Sequence, residues 1–176
     1  MRKSGMRREI TFQKAIVIGC PGAGKSTFAR KLRDQSSLPI YYLDMIWHQP
    51  DRTALSREIF DRKVDEILGR EEWIIDGCYV STLEKRMAAC EAVFLLDYPI
   101  EMCLDGASKR IGKKREDMPW VEEEMDEEFR QWIVDFPKRD RPVILALLQK
   151  YSTKENHIFQ ERAEADRYLK EAYRNS

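Results

Sequence analysis

Ala15-Ile16-Val17-Ile18-Gly19-Cys20-Pro21-Gly22-Ala23-Gly24-Lys25-Ser26-Thr27 decides the fold of this chain. Its first four residues are apolar and read as a buried strand, which runs straight into a glycine-rich turn ending in Lys-Ser. Residues 19–26 match G-x-x-x-x-G-K-[ST] in full, with a strand before them and a helix-competent stretch, 27–32, after them. Each residue type has a physical task there. Glycines let the main chain wrap a phosphate chain without Cβ clashes. The N–H groups of the turn and the positive end of the following helix face the anion. Lys25 supplies a mobile ammonium for β- and γ-phosphates, and Ser26 a hydroxyl for the accompanying Mg²⁺. Gly19, Cys20, Pro21, Gly22, Ala23, Gly24, Lys25, Ser26 and Thr27 are the expected nucleotide-binding residues. The positive potential at this turn also predicts a thiolate-prone Cys20 that bound nucleotide would shield from alkylation.

Outward from the turn, short apolar runs alternate with longer stretches of helical spacing. The runs 15–19, 40–43, 73–76, 92–97 and 156–159 read as buried strands. Pro99 suits a first helical turn, followed by Ile100, Cys103, Leu104, Ala107 and Ile111 at helical intervals. Met125, Phe129, Trp132, Ile133 and Phe136 make a second stripe, and Ala165, Tyr168, Leu169, Ala172 and Tyr173 a third. Such alternation predicts parallel strands covered on both faces. The expected fold is α/β: a three-layer P-loop NTPase fold with a central parallel sheet of about five strands and a helical lid. Residues 1–176 are expected to form one domain, with 112–151 as lid and helical insertion.

A phosphate site of this kind needs carboxylates near its metal, and in an open parallel sheet they belong at carboxyl ends of strands. Asp44, Asp76 and Asp97 sit there. Asp76, followed by Gly77, is the expected metal residue beside Ser26; Asp44 is expected to orient or deprotonate an acceptor; Asp97 is expected to cap a helix.

Lys109, Arg110, Lys113, Lys114 and Arg115 are followed by Glu122, Glu123, Glu124, Asp126, Glu127 and Glu128. The basic run reads as a lid whose Arg110 and Arg115 neutralise transferring phosphate. The acids read as the start of a helix, where negative charge suits the dipole, and they oppose a nucleic-acid backbone. His48, after the second strand, is either an acceptor contact or an ordinary loop residue. Residues 56–69 read as an acceptor-side helix or as plain core packing.

The formal net charge is zero, which gives no general pull towards nucleic acid or anionic membrane. Cys20, Cys78, Cys90 and Cys103 lack paired metal-ligand spacing and read as reduced thiols, so a cytoplasmic protein is expected. Arg2, Lys3, Arg7 and Arg8 have no apolar run behind them, unlike a secretory leader.

These residues resemble the P-loop kinases that include adenylate and shikimate kinase, and more closely the DNA topology-modulation protein family. The resemblance runs over residues 14–169: the loop 19–26, Leu43-Asp44 with Trp47, and Trp73-Ile74-Ile75-Asp76-Gly77-Cys78-Tyr79. Leu83 and Arg86, Phe94-Leu95-Leu96-Asp97-Tyr98-Pro99, and Phe129, Trp132 and Phe136 complete it. It implies ATP with Mg²⁺ as cofactors and phosphoryl transfer to a small acceptor such as a nucleotide or nucleoside. Val80 stands where nucleoside-monophosphate kinases carry Arg, Tyr79 where they carry Pro, and Cys78 where the smaller family has Asn. A phosphate-bearing acceptor needs a cation, so Arg86 is the expected substitute. The other readings are a nucleotide-dependent regulator affecting DNA topology without small-molecule kinase activity, and a polynucleotide-end kinase. The chain lacks the Asn-Lys-x-Asp segment of guanine-specific GTPases.

Overall fold

The computed structural model describes residues 8–174. Arg2, Lys3 and Arg7 lie outside the described residues. In chain order the elements are β1 (Arg8–Glu9), β2 (Lys14–Gly19), α1 (Lys25–Ser36), β3 (Ile40–Tyr42), α2 (Leu43–Trp47) and α3 (Arg57–Leu68). They continue with β4 (Trp73–Asp76), α4 (Val80–Ala89), β5 (Ala92–Leu96), α5 (Ile100–Ser108), α6 (Glu127–Arg139) and α7 (Arg141–Lys150). β6 (Glu155–Phe159), α8 (Arg162–Glu171) and β7 (Ala172–Tyr173) close the chain.

β2 to β6 form the predicted sheet of five parallel strands, in the order β3-β4-β2-β5-β6. Every residue of β4 and β5 is buried, so helices cover both faces, as contiguous apolar runs demand. The chain moves outward from β2 to β3, returns to β4 beside β2, then crosses to β5 and β6 on the other side. The carboxyl ends of β2, β4 and β5 therefore open on a topological switch point, where such sheets bind ligands. Phe94 of β5 anchors the core against Phe12, Phe28, Phe159 and Tyr168, with ring centroids 5.1–6.4 Å apart.

Local signals set the helix limits. Ser56 caps α3 by accepting from the Ile59 N–H (3.3 Å). Asp126 caps α6 by accepting from the Phe129 N–H (2.7 Å), with Glu127 and Glu128 in its first turn, as the acid run predicted.

Several boundaries differ from expectation. Leu43 opens α2 rather than ending β3, so Asp44 lies in the first turn of a short helix. Pro99 is the residue before α5, and Ile111 lies beyond that helix. Asp97 caps no helix; Arg141 grips it through two hydrogen bonds of 2.8 and 2.9 Å, tying α7 to the end of β5. Ala172 and Tyr173 leave α8 to pair in parallel with Arg8 and Glu9, a two-residue ladder too short to leave a sequence pattern.

Candidate active site

A cleft of about 1180 Å³ opens over the carboxyl ends of the strands, lined by the P-loop, α2, the turn after β4, α5, residues 109–126 and α6. The P-loop reaches it through one close approach. A Cβ on Gly22 would lie 2.0 Å from the Cys103 carbonyl oxygen, and a Cβ on Gly106 would lie 2.0 Å from the Gly22 carbonyl oxygen. The loop is thus seated main chain to main chain on α5, and Gly22 holds φ +83°, a conformation that favours glycine. Gly106 escaped the sequence reading; a glycine inside a helical stripe was its signal.

Gly24 is the residue before α1, and Lys25 and Ser26 are its first two helical residues. Lys25 Nζ donates to the Cys20 carbonyl oxygen (3.0 Å), laying the ammonium across the loop. Ser26 Oγ donates to Asp76 Oδ2 at 2.5 Å. Asp76 closes β4 between Val17 of β2 and Tyr42 of β3, and is 4% exposed. Burial pushes its carboxyl up to about 7, against the opposing pull of Lys25 and of the Ser26 hydroxyl. The Asp76 Oδ1 atom is buried without a hydrogen-bond partner. A buried, orphaned carboxylate oxygen beside a P-loop hydroxyl fits Mg²⁺, which takes few protein ligands and completes its shell with phosphates and water. The sequence-predicted pair, Ser26 and Asp76, is brought together as expected.

Asp44 lines the same cleft, with its Oδ1 accepting from the Tyr79 hydroxyl (2.7 Å). Tyr79 stacks obliquely on Phe60 and Trp47 (centroids 5.0 and 6.0 Å apart), which fixes its ring. Phe60 of α3 is buried in the core and packs against Tyr79 and Trp47 of the cleft wall, the packing role that residues 56–69 were expected to have as one of their two readings. His48 lines the cleft edge-on to Trp120 (5.0 Å), and burial draws its imidazole below the usual range.

Arg86 corrects the expectation of an acceptor-binding cation. It is fully buried. Its guanidinium donates to the carbonyl oxygens of Gly77 (3.0 Å), Cys78 (2.7 Å) and Tyr79 (3.0 Å), and to Thr82 Oγ1 (3.0 Å). Burial lowers it to about 10, so it stays charged at neutral pH. Its donors are spent on the turn after β4, the element that carries Tyr79 towards Asp44. It positions the site from beneath.

Cys20 is a second correction. It is 2% exposed, and the neighbouring Cys103 thiol together with burial pushes it far above its ordinary value, overriding the attraction of Lys25. The folded protein is expected to leave Cys20 unmodified by iodoacetamide, with or without MgATP, as read by peptide mass mapping. Rapid, nucleotide-protected labelling would contradict this burial.

Arg110 and Arg115 both line the cleft, and both are engaged by acids. Arg115 pairs with Glu122 (3.0 Å) and Asp117 (3.3 Å), and Arg110 Nε lies 3.9 Å from Glu122. Asp117, 3% exposed, also meets Arg30 of α1 at 3.6 Å, and Glu116 accepts from the Tyr42 hydroxyl (2.9 Å). Sequence reasoning missed Arg30, Glu116 and Asp117, which tie residues 109–126 down over α1 and β3. The helical half of 112–151 is not part of that cover: Ile133, Phe136, Ile144 and Leu148 are buried in the main core.

A strand, P-loop and helix on a five-stranded parallel sheet, with a buried acid closing the adjacent strand, make up a P-loop NTPase fold. Solved structures share this fold. Shikimate kinase from Bacteroides thetaiotaomicron superposes with a TM-score of 0.58 at 16% identity, over 91% of this chain and 96% of that one. Shikimate kinase from Acinetobacter baumannii, in complex with shikimate, superposes with a TM-score of 0.60 at 15% identity, over 91% and 90%. In sequence the chain is similar to adenylate kinase of Thermotoga maritima, 29% identical over 106 residues, which cover 56% of this chain and 47% of that enzyme. It is also similar to adenylate kinase of Thermotoga petrophila, 30% identical over 87 residues, 48% of this chain and 39% of the relative. The chain thus matches less than half the length of these curated relatives. No family model matches it.

Proposed function

We propose that this protein is an ATP-dependent phosphotransferase that passes the γ-phosphoryl group to a hydroxyl of a small acceptor, within a single domain and in the cytoplasm. One observation carries the reading: the P-loop pair Lys25–Ser26 and the carboxylates Asp76 and Asp44 converge on a single cleft. The adenylate and shikimate kinase likenesses support the kinase part; the topology-modulation resemblance rests on the sequence motifs over residues 14–169, of which Asp76-Gly77-Cys78-Tyr79 is the more specific.

In this reading the loop N–H groups and Lys25 hold the triphosphate. Ser26 and Asp76 would hold Mg²⁺, which when bound neutralises charge on the phosphate oxygens. Asp44, with Oδ1 occupied by Tyr79, offers its second oxygen to the acceptor hydroxyl and takes its proton. Arg110 and Arg115 exchange their carboxylate partners for phosphate oxygens as the cover closes. No helix among the described residues is long and apolar enough to cross a membrane.

Asp44→Asn keeps the shape and the Tyr79 hydrogen bond but removes the base. It is expected to lower kcat by about 10²–10⁴-fold while leaving the KM for ATP nearly unchanged. Steady-state kinetics on an accepted substrate checks this, and near wild-type kcat would remove Asp44 from the chemistry.

A further inference from the structure

We propose that Asp117 is a positioning residue, which holds Arg115 to Arg30 of α1 while Arg115 exchanges Glu122 for a phosphate oxygen. The inference rests on the kinase reading above and assigns a further residue of that site.

Two carboxylates are buried among the described residues, Asp76 and Asp117. Asp76 stands beside Ser26 in the P-loop site. Asp117 lies in a turn of the cover, residues 109–126, and lines the same cleft. A carboxylate withdrawn from water persists only with cations around it. The two oxygens of Asp117 are divided between two arginines. Oδ2 meets Arg115 Nη1 at 3.3 Å, and Oδ1 meets Arg30 Nη1 at 3.6 Å. Burial keeps such ion pairs effective, because salt screens them little. Arg30 belongs to the helix that opens with Lys25 and Ser26, and its Nη2 donates to Thr27 Oγ1 (3.3 Å). Asp117 therefore bridges the cover to the P-loop helix.

The other terminal nitrogen of Arg115 is bound differently. Nη2 donates to Glu122 Oε2 at 3.0 Å, and the same oxygen lies 3.9 Å from Arg110 Nε. That Arg110 nitrogen is buried without a hydrogen-bond partner. Glu122 thus sits between two cleft-lining guanidiniums and satisfies only one of them. A phosphoryl group, with three acceptor oxygens, can bond both.

Asp117 and Glu122 carry the same charge and touch the same guanidinium at its two ends, yet only Asp117 also reaches α1. When phosphate replaces Glu122, Nη1 stays on Asp117, and the guanidinium turns about a fixed corner instead of swinging free. Such control matters, since a misplacement of about 1 Å at a reacting group can cost about 10²-fold in rate. Asp117 acts through Arg115 and touches no reacting atom.

The test compares two substitutions that remove the same charge from the same arginine. Asp117→Asn and Glu122→Gln are assayed in the full chain with MgATP and whichever common nucleoside, nucleoside 5′-monophosphate or simple polyol the wild type phosphorylates fastest. Asp117→Asn is expected to lower kcat by about 10–100-fold, with the KM for ATP within about three-fold. Glu122→Gln is expected to keep kcat at or above the wild-type value. It should also bind the β,γ-imido analogue of ATP with Mg²⁺ about three-fold more tightly by calorimetry, the size of one part-exposed ion pair released. In an Arg115→Ala background, Asp117→Asn is expected to change kcat by less than about two-fold. Thermal melts identify a variant that does not fold. Should Asp117→Asn be one, Arg30→Gln tests the anchor from its more exposed end, with an expected fall in kcat of at least about five-fold that also vanishes without Arg115. Wild-type kcat in the folded anchor variant, an equal fall in Glu122→Gln, or an undiminished effect without Arg115 overturns the inference and leaves the kinase reading standing. Absence of transfer by the wild type to any acceptor overturns both.

Discussion

Arg86→Ala is expected to lower the unfolding free energy by about 3–5 kcal/mol. The guanidinium is fully buried and satisfies three main-chain carbonyls and one hydroxyl. Its loss would take the donor from the carbonyls of Gly77 and Cys78, at about 1–3 kcal/mol for each group left unsatisfied, while the Tyr79 carbonyl would keep the Thr82 N–H and hydroxyl. Single domains have only about 5–15 kcal/mol to lose. For a chain of this length the loss corresponds to a fall in Tm of roughly 6–20 °C. Arg86→Lys keeps a charge but cannot fork to three carbonyls, so it should recover only part of the loss. Denaturant titration of the two variants decides. Wild-type stability in Arg86→Ala would mean that Arg86 does not hold the turn.

Lys25→Ala acts on the chemistry instead. It is expected to lower the rate of phosphoryl transfer by about 10²–10³-fold, the usual cost of removing one donor aimed at developing charge. Lys25 is only half-buried and its bond is to the Cys20 carbonyl oxygen within the loop, so the stability of the free protein should change by less than about 1 kcal/mol. Thermal melts separate these effects. MgATP at about 100 times its Kd should stabilise the wild type by about 2.7 kcal/mol, and at the same concentration should stabilise Lys25→Ala much less. Equal stabilisation of both proteins would show that Lys25 does not hold nucleotide.

What could be read in the sequence follows from burial. β2, β4 and β5 are buried along most or all of their length, so they register as contiguous apolar runs. β6 lies at the sheet edge and mixes exposed with buried residues; its first residue, Glu155, was missed. The P-loop was legible in full because its chemistry depends on a local run of residues. Arg86 was not. Helical spacing placed it at the edge of an apolar stripe, but the carbonyls that draw it inward exist only once Gly77 adopts φ +138° and the turn forms. The charged blocks were visible as composition, yet their pairing was not. Asp117 is neutralised by Arg30 of α1, and this contact depends on how residues 109–126 fold back across the cleft. Trp132 was read as part of a core stripe, which Ile133 and Phe136 do occupy, while Trp132 itself faces the cleft.

The central claim is that the γ-phosphoryl group of ATP leaves this cleft on an organic hydroxyl. It is tested most directly by following MgATP labelled at the γ-phosphorus in the presence of the protein and a pool of nucleosides. The account predicts that the label moves into a phosphate ester as ADP forms in equal amount, and that Lys25→Ala slows both by about 10²–10³-fold. Label that stays in ATP, or is released only as inorganic phosphate, would contradict it.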